Sequence, residues 1–477
     1  MKKTIANFFY QSIFQITSII LPIITVPIVS NALGPKGIGI YNYTFSITSY
    51  FVLLAGLGLA NYGIREIAIV KDDKDKLSQK FWELQLFNAV IAIFTIFLFL
   101  IIIQFLSYKN IYYSQILLIF GSLLDISWFY IGTEDFKKIS IANVCIKILG
   151  FVFIFLFVKS YDDLQLYVLI QSSVVLLSQS FLWLFLRKKV YFRKVSLRTS
   201  FRHFRPSLEY FIGKVAISMY TSLNKTILGI IGTTVLVGLF SNSLQLITIS
   251  ATLVGTLDTV LLPQMAKLVE DKKFKLHIEI LKSSLHFQLF LSIALFWGIL
   301  SITPNLVDWF FGPDFERTKS MIPLLAPLVI IIPLGTAIFR QYMMPKNQIR
   351  RFNKIALISA AVSVVLNFLL IPFIGAYGAI LATLISESFV TVTRIKDLYK
   401  ETSFRFDYKK IVMLNFSGFI MFFILNILFR HNSSALILTI FQVISGGLVY
   451  FVLTLIMNVN PIFEYLKGKW INESKNL

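Results

Sequence analysis

Apolar runs divide the chain into about fourteen segments that are separated by short polar connections. Most runs come close to the roughly 20 residues that a helix needs to cross the hydrocarbon core of a bilayer. The pattern therefore predicts an all-α polytopic membrane protein with about fourteen transmembrane helices. The runs lie near residues 9–32, 40–62, 83–106, 112–132, 140–158, 166–186, 207–231, 235–262, 283–303, 321–343, 355–373, 378–394, 411–428 and 434–456.

Composition and charge place the chain in the membrane and orient it. Of the 477 residues, 56% are hydrophobic and 14% are charged, against about 25% charged in an ordinary globular chain. The net charge is +21, but the basic residues lie in the connections between runs, so no nucleic-acid partner is predicted. With the amino terminus inside, the inner connections hold 35 basic residues, counting Arg394 at the inner end of its run, and the outer ones 6. Both termini are therefore predicted to be cytoplasmic.

A shift of the sequence by 199 positions aligns its two halves. Gly39 then meets Gly238, and Gly56 meets Gly255. The shift places span 7 on span 1 with six spans between them, so both copies cross in the same direction. This predicts two pseudo-symmetric six-helix lobes, a known transporter plan. We expect the lobes at residues 1–195 and 196–400, with an additional helix pair and cytoplasmic tail at 401–477.

Polar residues repeat at helical spacing along three of the predicted spans. Polar stripes of this kind can hold helices together by hydrogen bonds. Stripes that run the full length of a span in both lobes, and that are partly cationic, favour a water-filled central cavity instead. The stripes are Asn7, Gln11, Gln15, Ser18, Pro22 and Thr25 in span 1; Ser207, Tyr210, Lys214, Ser218, Thr221 and Lys225 in span 7; and Ser241, Gln245, Thr248, Thr252, Gly255 and Thr259 in span 8.

Charged residues within the spans indicate the substrate class, because a charge at the bilayer centre costs about 2.5–3.5 kcal/mol on insertion scales. Lys214 and Lys225 lie three turns apart on the span 7 stripe, and Lys147 shares a face of span 5 with Asn143. Arg340 lies near the inner end of span 10, where its side chain could also snorkel to the interface. The surplus of cations predicts an anionic substrate.

Three carboxylates within spans are candidates for ion coupling: Asp125 in span 4, Asp258 in span 8 and Glu387 in span 12. Such a group can pair with a lysine, bind Na⁺ or carry a proton.

Several chemistries are not expected. The sequence has no phosphate-binding Gly-x-x-x-x-Gly-Lys-Ser/Thr loop and no nucleophile signature. Cys145 is the single cysteine, and the four histidines lack the spacing of metal ligands, so solvated or interfacial histidines are expected. We predict a protein that is not an enzyme and that needs neither a metal nor a cofactor.

Four stretches carry a resemblance to a known family. They are ALGPKGIGIYNYTF and its continuation at residues 32–68, DISWFYIGTEDFKKISIANVCIKI at 125–148, LVDWFFGPDFERTKSMIPLLAPLVIIIP at 306–333, and the segment from MPKNQIRRFNK to LISE at 344–387. The chain resembles the Wzx-type lipid-linked oligosaccharide flippases, which share a superfamily with lipid II flippases and MATE drug exporters. It departs from the family pattern at Asn31 and Ala32, at Ile131 and at Asn224.

The resemblance implies a flippase in a bacterial plasma membrane. It would move undecaprenyl-diphosphate-linked oligosaccharide repeat units from the cytoplasmic to the outer leaflet for surface polysaccharide assembly, by alternating access through a cationic central cavity. Membrane lipid, H⁺ or Na⁺, and polysaccharide polymerase and assembly proteins would be its partners. The cations Lys147, Lys214, Lys225 and Arg340 would bind the diphosphate or acidic sugars, and the polar cavity residues would be Gln11, Gln15, Asn42, Asn143, Gln245 and Thr248.

Two other functions remain open from the sequence. A MATE-like ion-coupled small-molecule antiporter would bind cationic compounds in an acidic or aromatic cavity, which the lysine-bearing stripes disfavour. A membrane glycan polymerase or ligase would need a substantial outer loop for its catalytic groups. The longest predicted outer loop, about residues 303–320, is short for that purpose.

Overall fold

The computed structural model describes residues 2–187, 189–429 and 436–463, apart from the side chains of residues 2–12 and of several residues between 213 and 221. All regular secondary structure in these ranges is helical. The chain divides into two compact units, Met1–Gly238 and Leu239–Leu477. The lobe boundaries expected at 195 and 400 stay predictions.

The first unit contains nine helices in the part of the chain that the structure describes. They are α1 (Lys2–Gly56), α2 (Leu59–Val70), α3 (Lys74–Ile102), α4 (Lys109–Leu124), α5 (Ser127–Gly132), α6 (Phe136–Phe157), α7 (Leu164–Leu186), α8 (Leu197–Ser200) and α9 (Phe204–Ile231). Helix α1 has a kink at Gly34, where φ is 63° and ψ is 178°. The first two predicted runs therefore lie on the two arms of α1, and the second continues into α2.

The division between the two units falls inside the long helix α10 (Thr234–Glu270), so the second unit begins within that helix. Its helices are α10, α11 (Phe274–Phe310), α12 (Thr318–Leu325), α13 (Leu328–Ile338), α14 (Ile349–Ile374), α15 (Ala376–Glu401), α16 (Tyr408–Leu428) and α17 (Leu436–Ile456). A π-helical turn, Phe339–Met343, continues α13.

The fourteen apolar runs coincide with helices in the part of the chain that the structure describes. Within the same residues, twelve stretches are long and apolar enough to cross a membrane, and the first of these, Ile13–Val70, holds the first two runs. The seventh run lies on α9. The prediction of an all-α polytopic membrane protein is confirmed, whereas the cytoplasmic placement of the termini stays a prediction.

The second arm of α1 and helix α9 run in the opposite directions that the predicted membrane crossings require. Gly39 approaches Thr234 beyond the end of α9, Ser46 bonds to Thr226 at 2.8 Å, and Ser207, at the start of α9, donates to the carbonyl of Leu57. The second arm of α1 and helix α9 therefore run antiparallel along their whole length.

Three predicted spans are interrupted, although hydropathy suggests continuous helices. Span 2 breaks at Leu57 and Gly58, span 4 between α4 and α5, and span 10 between α12 and α13. Under the 199-residue shift, the breaks in spans 4 and 10 correspond to within two residues. Discontinuous helices are a recurring feature of transporters because they expose backbone polar groups inside the membrane.

Side chains satisfy the backbone carbonyls that the break in span 4 leaves without helical partners. Asn88 donates to the carbonyl of Ser122 at 3.0 Å, Gln85 to that of Leu123 at 2.9 Å, Trp183 to that of Leu124 at 2.8 Å and Trp128 to that of Asp125 at 2.8 Å. Four polar side chains from three helices thus stabilise the interruption, and the regular helix α4 ends at Leu124.

Glycines allow two helix segments to touch backbone to backbone in the first unit. A Cβ on Gly39 would lie 1.6 Å from the carbonyl oxygen of Thr234, and a Cβ on Gly238 would lie 1.9 Å from that of Pro35. No larger residue fits without separating the backbones. These are the two glycines that the internal repeat aligns.

Candidate substrate-binding site

Lys225 lies on α9 and reaches the second arm of α1. Its Nζ donates a hydrogen bond to Oδ1 of Asn42 at 2.9 Å, and both side chains are half-buried. The Asn42 amide nitrogen donates to the carbonyl of Ile38 at 3.0 Å. Because that bond occupies the amide nitrogen, the amide oxygen is directed at the ammonium group.

Lys147 lies at the middle of α6, about 16 Å from either end at 1.5 Å per residue. Its Nζ donates to Oγ of Ser18 on α1 at 3.0 Å. The same nitrogen lies 4.7 Å from the centre of the Phe14 ring, a cation–π contact. A hydroxyl and an aromatic face thus stabilise an ammonium group at the depth where its insertion is most costly.

Lys214 shares the stripe of Lys225 and lies eleven residues before it on α9. It interacts electrostatically with Asp125 at the end of α4. The Asp125 carboxylate also accepts the backbone N–H of Ser127 at 2.8 Å, so it stabilises the turn between α4 and α5. This local role explains the position of Asp125, and its part in ion coupling stays a prediction.

The three lysines share one electrostatic property. Among the described residues, no carboxylate lies within 4.0 Å of their ammonium groups. Some cations outside the spans are paired: Lys138 and Lys189 both contact Asp135, at 3.0 and 2.8 Å. Neutral partners hold a cation in place without cancelling its charge, which leaves a negative ligand able to do so.

The structure gives less information on the roles of the other polar residues predicted for the first unit. Asn143 lies one turn before Lys147, and its amide donates to the carbonyl of Ile139 at 2.9 Å. Gln15 is half-buried, three residues before Ser18. The side chain of Gln11 lies outside the described part of the chain. The structure therefore joins Asn42 to Lys225 directly and leaves the roles of Gln15 and Asn143 as predictions.

Gln245 and Thr248 lie in the second unit, on α10. Gln245 is half-buried, and Thr248 is exposed and donates to the carbonyl of Gln245 at 3.0 Å. Their contact with sugar stays a prediction.

Asp258 forms the centre of a fully buried polar cluster in the second unit. Its Oδ1 accepts from Nε2 of Gln288 at 2.6 Å and from Nε2 of Gln341 at 2.7 Å. Its Oδ2 and the Oε1 atoms of both glutamines have no hydrogen-bond partner among the described residues. Gln341 belongs to the π-helical turn, a deformation that is frequent at functional sites.

The predicted residues Arg340 and Glu387 flank this cluster along the chain. Arg340 precedes Gln341, and its Nη1 donates to Oγ1 of Thr259 at 2.8 Å. Glu387 is half-buried on α15 and interacts electrostatically with Arg394. Neither contact tests whether Arg340 binds substrate or Glu387 couples an ion, so both stay predictions.

Sequence reasoning missed three buried polar residues of the second unit. Gln288 and Gln341 hold Asp258, and Arg394, 5% exposed, donates to the carbonyl of Gly335 at 2.8 Å. A signal for Gln288 was present, because it lies one helical turn after Ser284 within an apolar run. Arg394 lies at the predicted end of span 12, where an arginine is expected to be interfacial.

Two histidines are buried, contrary to the expectation of solvated or interfacial positions. His277 is fully buried and its Nε2 lies 2.7 Å from the carbonyl oxygen of Gln341. His203 is 6% exposed and its Nδ1 lies 2.7 Å from Oη of Tyr62. Each ring makes a polar contact with a neighbouring group of the protein instead of with water. A single sequence does not reveal such a contact. Among the described residues, no group of three His, Cys, Asp or Glu side chains could hold a metal ion.

Comparison with known proteins decides the family. A family model described as polysaccharide biosynthesis protein matches residues 4–269, which is more than half of the chain. The chain belongs to the polysaccharide biosynthesis protein family. The resemblance to Wzx-type flippases is thereby confirmed.

Relatives and solved structures of this polysaccharide biosynthesis protein agree with that assignment. It is 24% identical over 394 residues to a protein of Escherichia coli strain K12 named as an O-antigen transporter, covering 81% of this chain and 94% of the relative. It shares the fold of the lipid II flippase MurJ in an inward closed conformation, with a TM-score of 0.73, 15% identity, and coverage of 95% and 98% of the two chains.

An inward-facing multidrug resistance MATE family transporter of the MOP superfamily is more distant. The TM-score is 0.58 at 14% identity, with 83% of this chain and 100% of the transporter covered. The similarities to MurJ and to the MATE transporter are evidence of a shared fold.

Proposed function

We propose that this polysaccharide biosynthesis protein flips undecaprenyl-diphosphate-linked oligosaccharide repeat units from the cytoplasmic to the outer leaflet of the bacterial plasma membrane. The relatives are named as transporters and flippases of glycans or glycan lipids, which supports transport of lipid-linked oligosaccharide. The protein is a multi-pass membrane transporter and not an enzyme.

One observation carries the choice of substrate head group: Lys147 and Lys225 lie within predicted spans, and their neutral partners leave their charge uncancelled. The hydroxyl of Ser18 and the amide of Asn42 position two of the ammonium groups. A diphosphate carries the complementary charge and accepts several hydrogen bonds, so its binding would offset the cost of keeping these lysines in the membrane. An anionic lipid head group therefore fits the first unit better than a cation.

The path for the sugars must be polar, because hydroxyl groups cannot cross hydrocarbon without hydrogen-bond partners. We assign this role to the polar faces that carry the lysines, including Gln15, Asn42 and Asn143. The prenyl chain would stay in lipid while the head group moves, and the protein would alternate between inward-open and outward-open states. Polymerase and assembly proteins that consume the product would act as partners.

The buried cluster around Asp258 supports coupling of this movement to an ion. A carboxylate with one oxygen held by two amides and the other without a partner can accept a proton or a small cation. Asp258 is our first choice among the three predicted carboxylates, because its Oδ2 is buried without a hydrogen-bond partner among the described residues.

The alternative is a MATE-like ion-coupled small-molecule antiporter, and the fold likeness to a MATE transporter supports it. Such a protein would bind cationic compounds near carboxylates or aromatic rings. The lysines of the first unit repel cations, so the flippase is preferred.

Flipping can be measured with the purified protein in liposomes that contain a fluorescent undecaprenyl-diphosphate oligosaccharide. A membrane-impermeant quencher reports how much label is reachable from outside. We expect the protein to make the protected half of the label reachable, and an imposed pH or Na⁺ gradient to change the rate if transport is coupled. If several glycan lipids stay protected while a cationic dye is exported, the antiporter replaces the flippase.

A further inference from the structure

A basic pocket of about 540 Å³ opens in the second unit, and Asp258, Gln288 and Gln341 are not among its lining residues. Three segments form it: the amino-terminal part of α11, the connection between α15 and α16 with the start of α16, and the residues after α17. The alternation of spans predicts all three on the same, cytoplasmic side. The volume falls within the range of about 300–1,000 Å³ that is usual for ligand pockets.

The pocket is strongly cationic for its size. Lys282, Arg405 and Lys410 line it against a single carboxylate, that of Asp407. Asp407 is partly occupied as a helix cap, because its Oδ1 accepts the backbone N–H of Lys410 at 3.1 Å. Even if Asp407 cancels one lysine, the lining keeps a surplus of positive charge.

Two of these cations lack an internal counterion in the part of the chain that the structure describes. No carboxylate lies within 4.0 Å of Lys282 or Arg405. Other cations of the same unit are paired: Arg351 forms a two-bond contact with Asp397, and Lys346 lies 3.9 Å from Glu401. The pocket is distinguished by the three cations that share one cavity, two of which have no carboxylate within salt-bridge distance among the described residues.

The structure holds the rim of the pocket in shape. The Arg405 guanidinium lies 4.8 Å from the Tyr399 ring and donates to the carbonyls of Tyr399 and Thr402, at 3.1 and 3.2 Å. Opposite, Asn460 is buried and its Oδ1 accepts the backbone N–H of Ile462 at 3.0 Å. Both walls are thus fixed by hydrogen bonds within the protein.

Apolar residues form the rest of the lining and indicate what kind of anion fits. Phe287, Ile411 and Ile462 line the pocket beside the cations. Tyr408 and Phe463 next to it are 64% and 49% exposed, as expected for side chains that face acyl chains or the interface. A free phosphate ion gains nothing from such walls, whereas a phospholipid presents an anionic head and an apolar body together.

The depth of the pocket agrees with a lipid head group. Helix α11 has 37 residues, about 55 Å at 1.5 Å per residue, against a hydrocarbon core of about 30 Å. Lys282 lies about 12 Å from the start of this helix. The helix therefore extends beyond the core, and Lys282 can lie at the level of the phosphates.

We propose that the pocket lined by Lys282, Arg405 and Lys410 binds the phosphate-bearing head group of an anionic phospholipid of the cytoplasmic leaflet. Basic pockets between transmembrane helices on this side of a membrane are suited to such head groups. The site would tie the second unit to the surrounding lipid composition, independently of the oligosaccharide that the protein carries.

Equilibrium binding to the purified full-length protein in an uncharged detergent tests the proposal. Dioctanoyl phosphatidylglycerol is titrated against dioctanoyl phosphatidylcholine and against inorganic phosphate, and bound lipid is counted by native mass spectrometry. We expect phosphatidylglycerol to bind more tightly than phosphatidylcholine. Equal binding of the two lipids, or competition by inorganic phosphate at equal concentration, would overturn the assignment.

A pair of matched variants locates the site. Lys282→Gln removes a pocket charge and is expected to weaken phosphatidylglycerol binding roughly fivefold, as for one membrane-proximal cation. Lys275→Gln removes an exposed charge from the same helix outside the pocket and should change binding by less than about twofold. Arg405→Gln, compared with Lys409→Gln, repeats the test on the opposite wall. If both members of each pair weaken binding equally, the attraction is a general surface effect and the pocket is excluded.

Discussion

The two units treat buried charge in opposite ways. In the first unit, Lys147 and Lys225 are positioned by neutral oxygens and an aromatic ring. In the second, the carboxylate of Asp258 is held by two amides. Each arrangement keeps a charged group in place without a paired opposite charge, but the sign differs.

We propose that the two units carry separate tasks. A cationic face suits the diphosphate of a lipid-linked glycan, and a buried carboxylate suits a coupling ion. The two units also share a feature of construction, since the breaks in spans 4 and 10 correspond to within two residues under the 199-residue shift. The backbone interruption is thus similar in both units, while the buried charged side chains differ.

Removing a lysine from the first unit should have the largest effect. We expect Lys225→Ala and Lys214→Ala to lower flipping by roughly 30-fold or more, because a desolvated anion loses a charged partner, while expression stays intact. Quencher access in proteoliposomes measures the rate, and Lys36→Ala, at an exposed position, serves as control. Wild-type flux in both variants would contradict the role of the cationic face.

Giving the first unit an internal counterion should remove the uncancelled positive charge that the comparison assigns to it. Asn42→Asp places a carboxylate where the amide oxygen now lies 2.9 Å from Lys225. The lysine would then be neutralised by the protein, and flipping should fall by about tenfold. Asn31→Asp adds the same charge at an exposed site. If the two variants transport equally well, the charge of Lys225 is not available to substrate in the wild type.

The second unit is tested by removing the charge of Asp258 at constant shape. Asn at this position still offers an oxygen to Gln288 and Gln341, so the fold should persist. We expect Asp258→Asn to lose the response of flipping to an imposed pH or Na⁺ gradient, while Glu279→Gln, at an exposed position of α11, keeps it. A variant that responds as the wild type does would move the coupling role to another carboxylate.

Backbone packing gives a smaller effect on stability. In Gly39→Ala the new methyl group would meet the Thr234 carbonyl at 1.6 Å, which should cost about 1–3 kcal/mol. Gly447 on α17 has nothing within 4 Å of an added Cβ, so Gly447→Ala should stabilise its helix by about 0.5–1 kcal/mol. Thermal melting of the two variants in detergent should shift in opposite directions; a parallel shift would contradict the close helix contact.

The smallest effect concerns His203, outside the membrane spans. Burial lowers the pKa of His203, the charge of Lys80 adds to this, and Glu83 and Glu66 oppose it. The unfolded chain therefore binds the proton more readily, and stability should fall as the pH drops below about 6.5, by less than about 1.4 kcal/mol per pH unit. The melting temperature of His203→Gln should depend less on pH in this range than that of the wild type, with Arg202→Gln as control. A wild-type melting temperature that rises on acidification would contradict the assignment.

The helical class and the positions of the apolar helices followed from the sequence, because hydropathy reports burial in lipid directly. The interruptions did not. Asp125 lies within an apolar run, and the carbonyls freed beside it are satisfied by Asn88 and Trp183 from distant parts of the chain. A one-dimensional pattern contains the donors and the acceptors, but it does not show which of them meet.

The candidate site was predicted in part for the same reason. Lysines within apolar runs are conspicuous, so Lys147, Lys214 and Lys225 could be named from the sequence. Their partners depend on packing: Ser18 and Asn42 were predicted as polar, yet nothing in the sequence joins them to particular lysines. Gln288 and Gln341 were missed because an amide in a helix becomes significant only beside the carboxylate that it holds.

The midpoint position of Lys147 also constrains how the chain enters the membrane during synthesis. Helix α6 reads FKKISIANVCIKILGFVFIFLF, and the apolar residues after the lysine compensate for the roughly 2.5–3.5 kcal/mol that a central ammonium group costs on insertion scales. The segment therefore tolerates one central charge. A second central charge would bring its free energy of insertion close to zero. Sequence change in this helix is limited by membrane integration as well as by transport, so new substrate contacts are easier to acquire on more apolar spans.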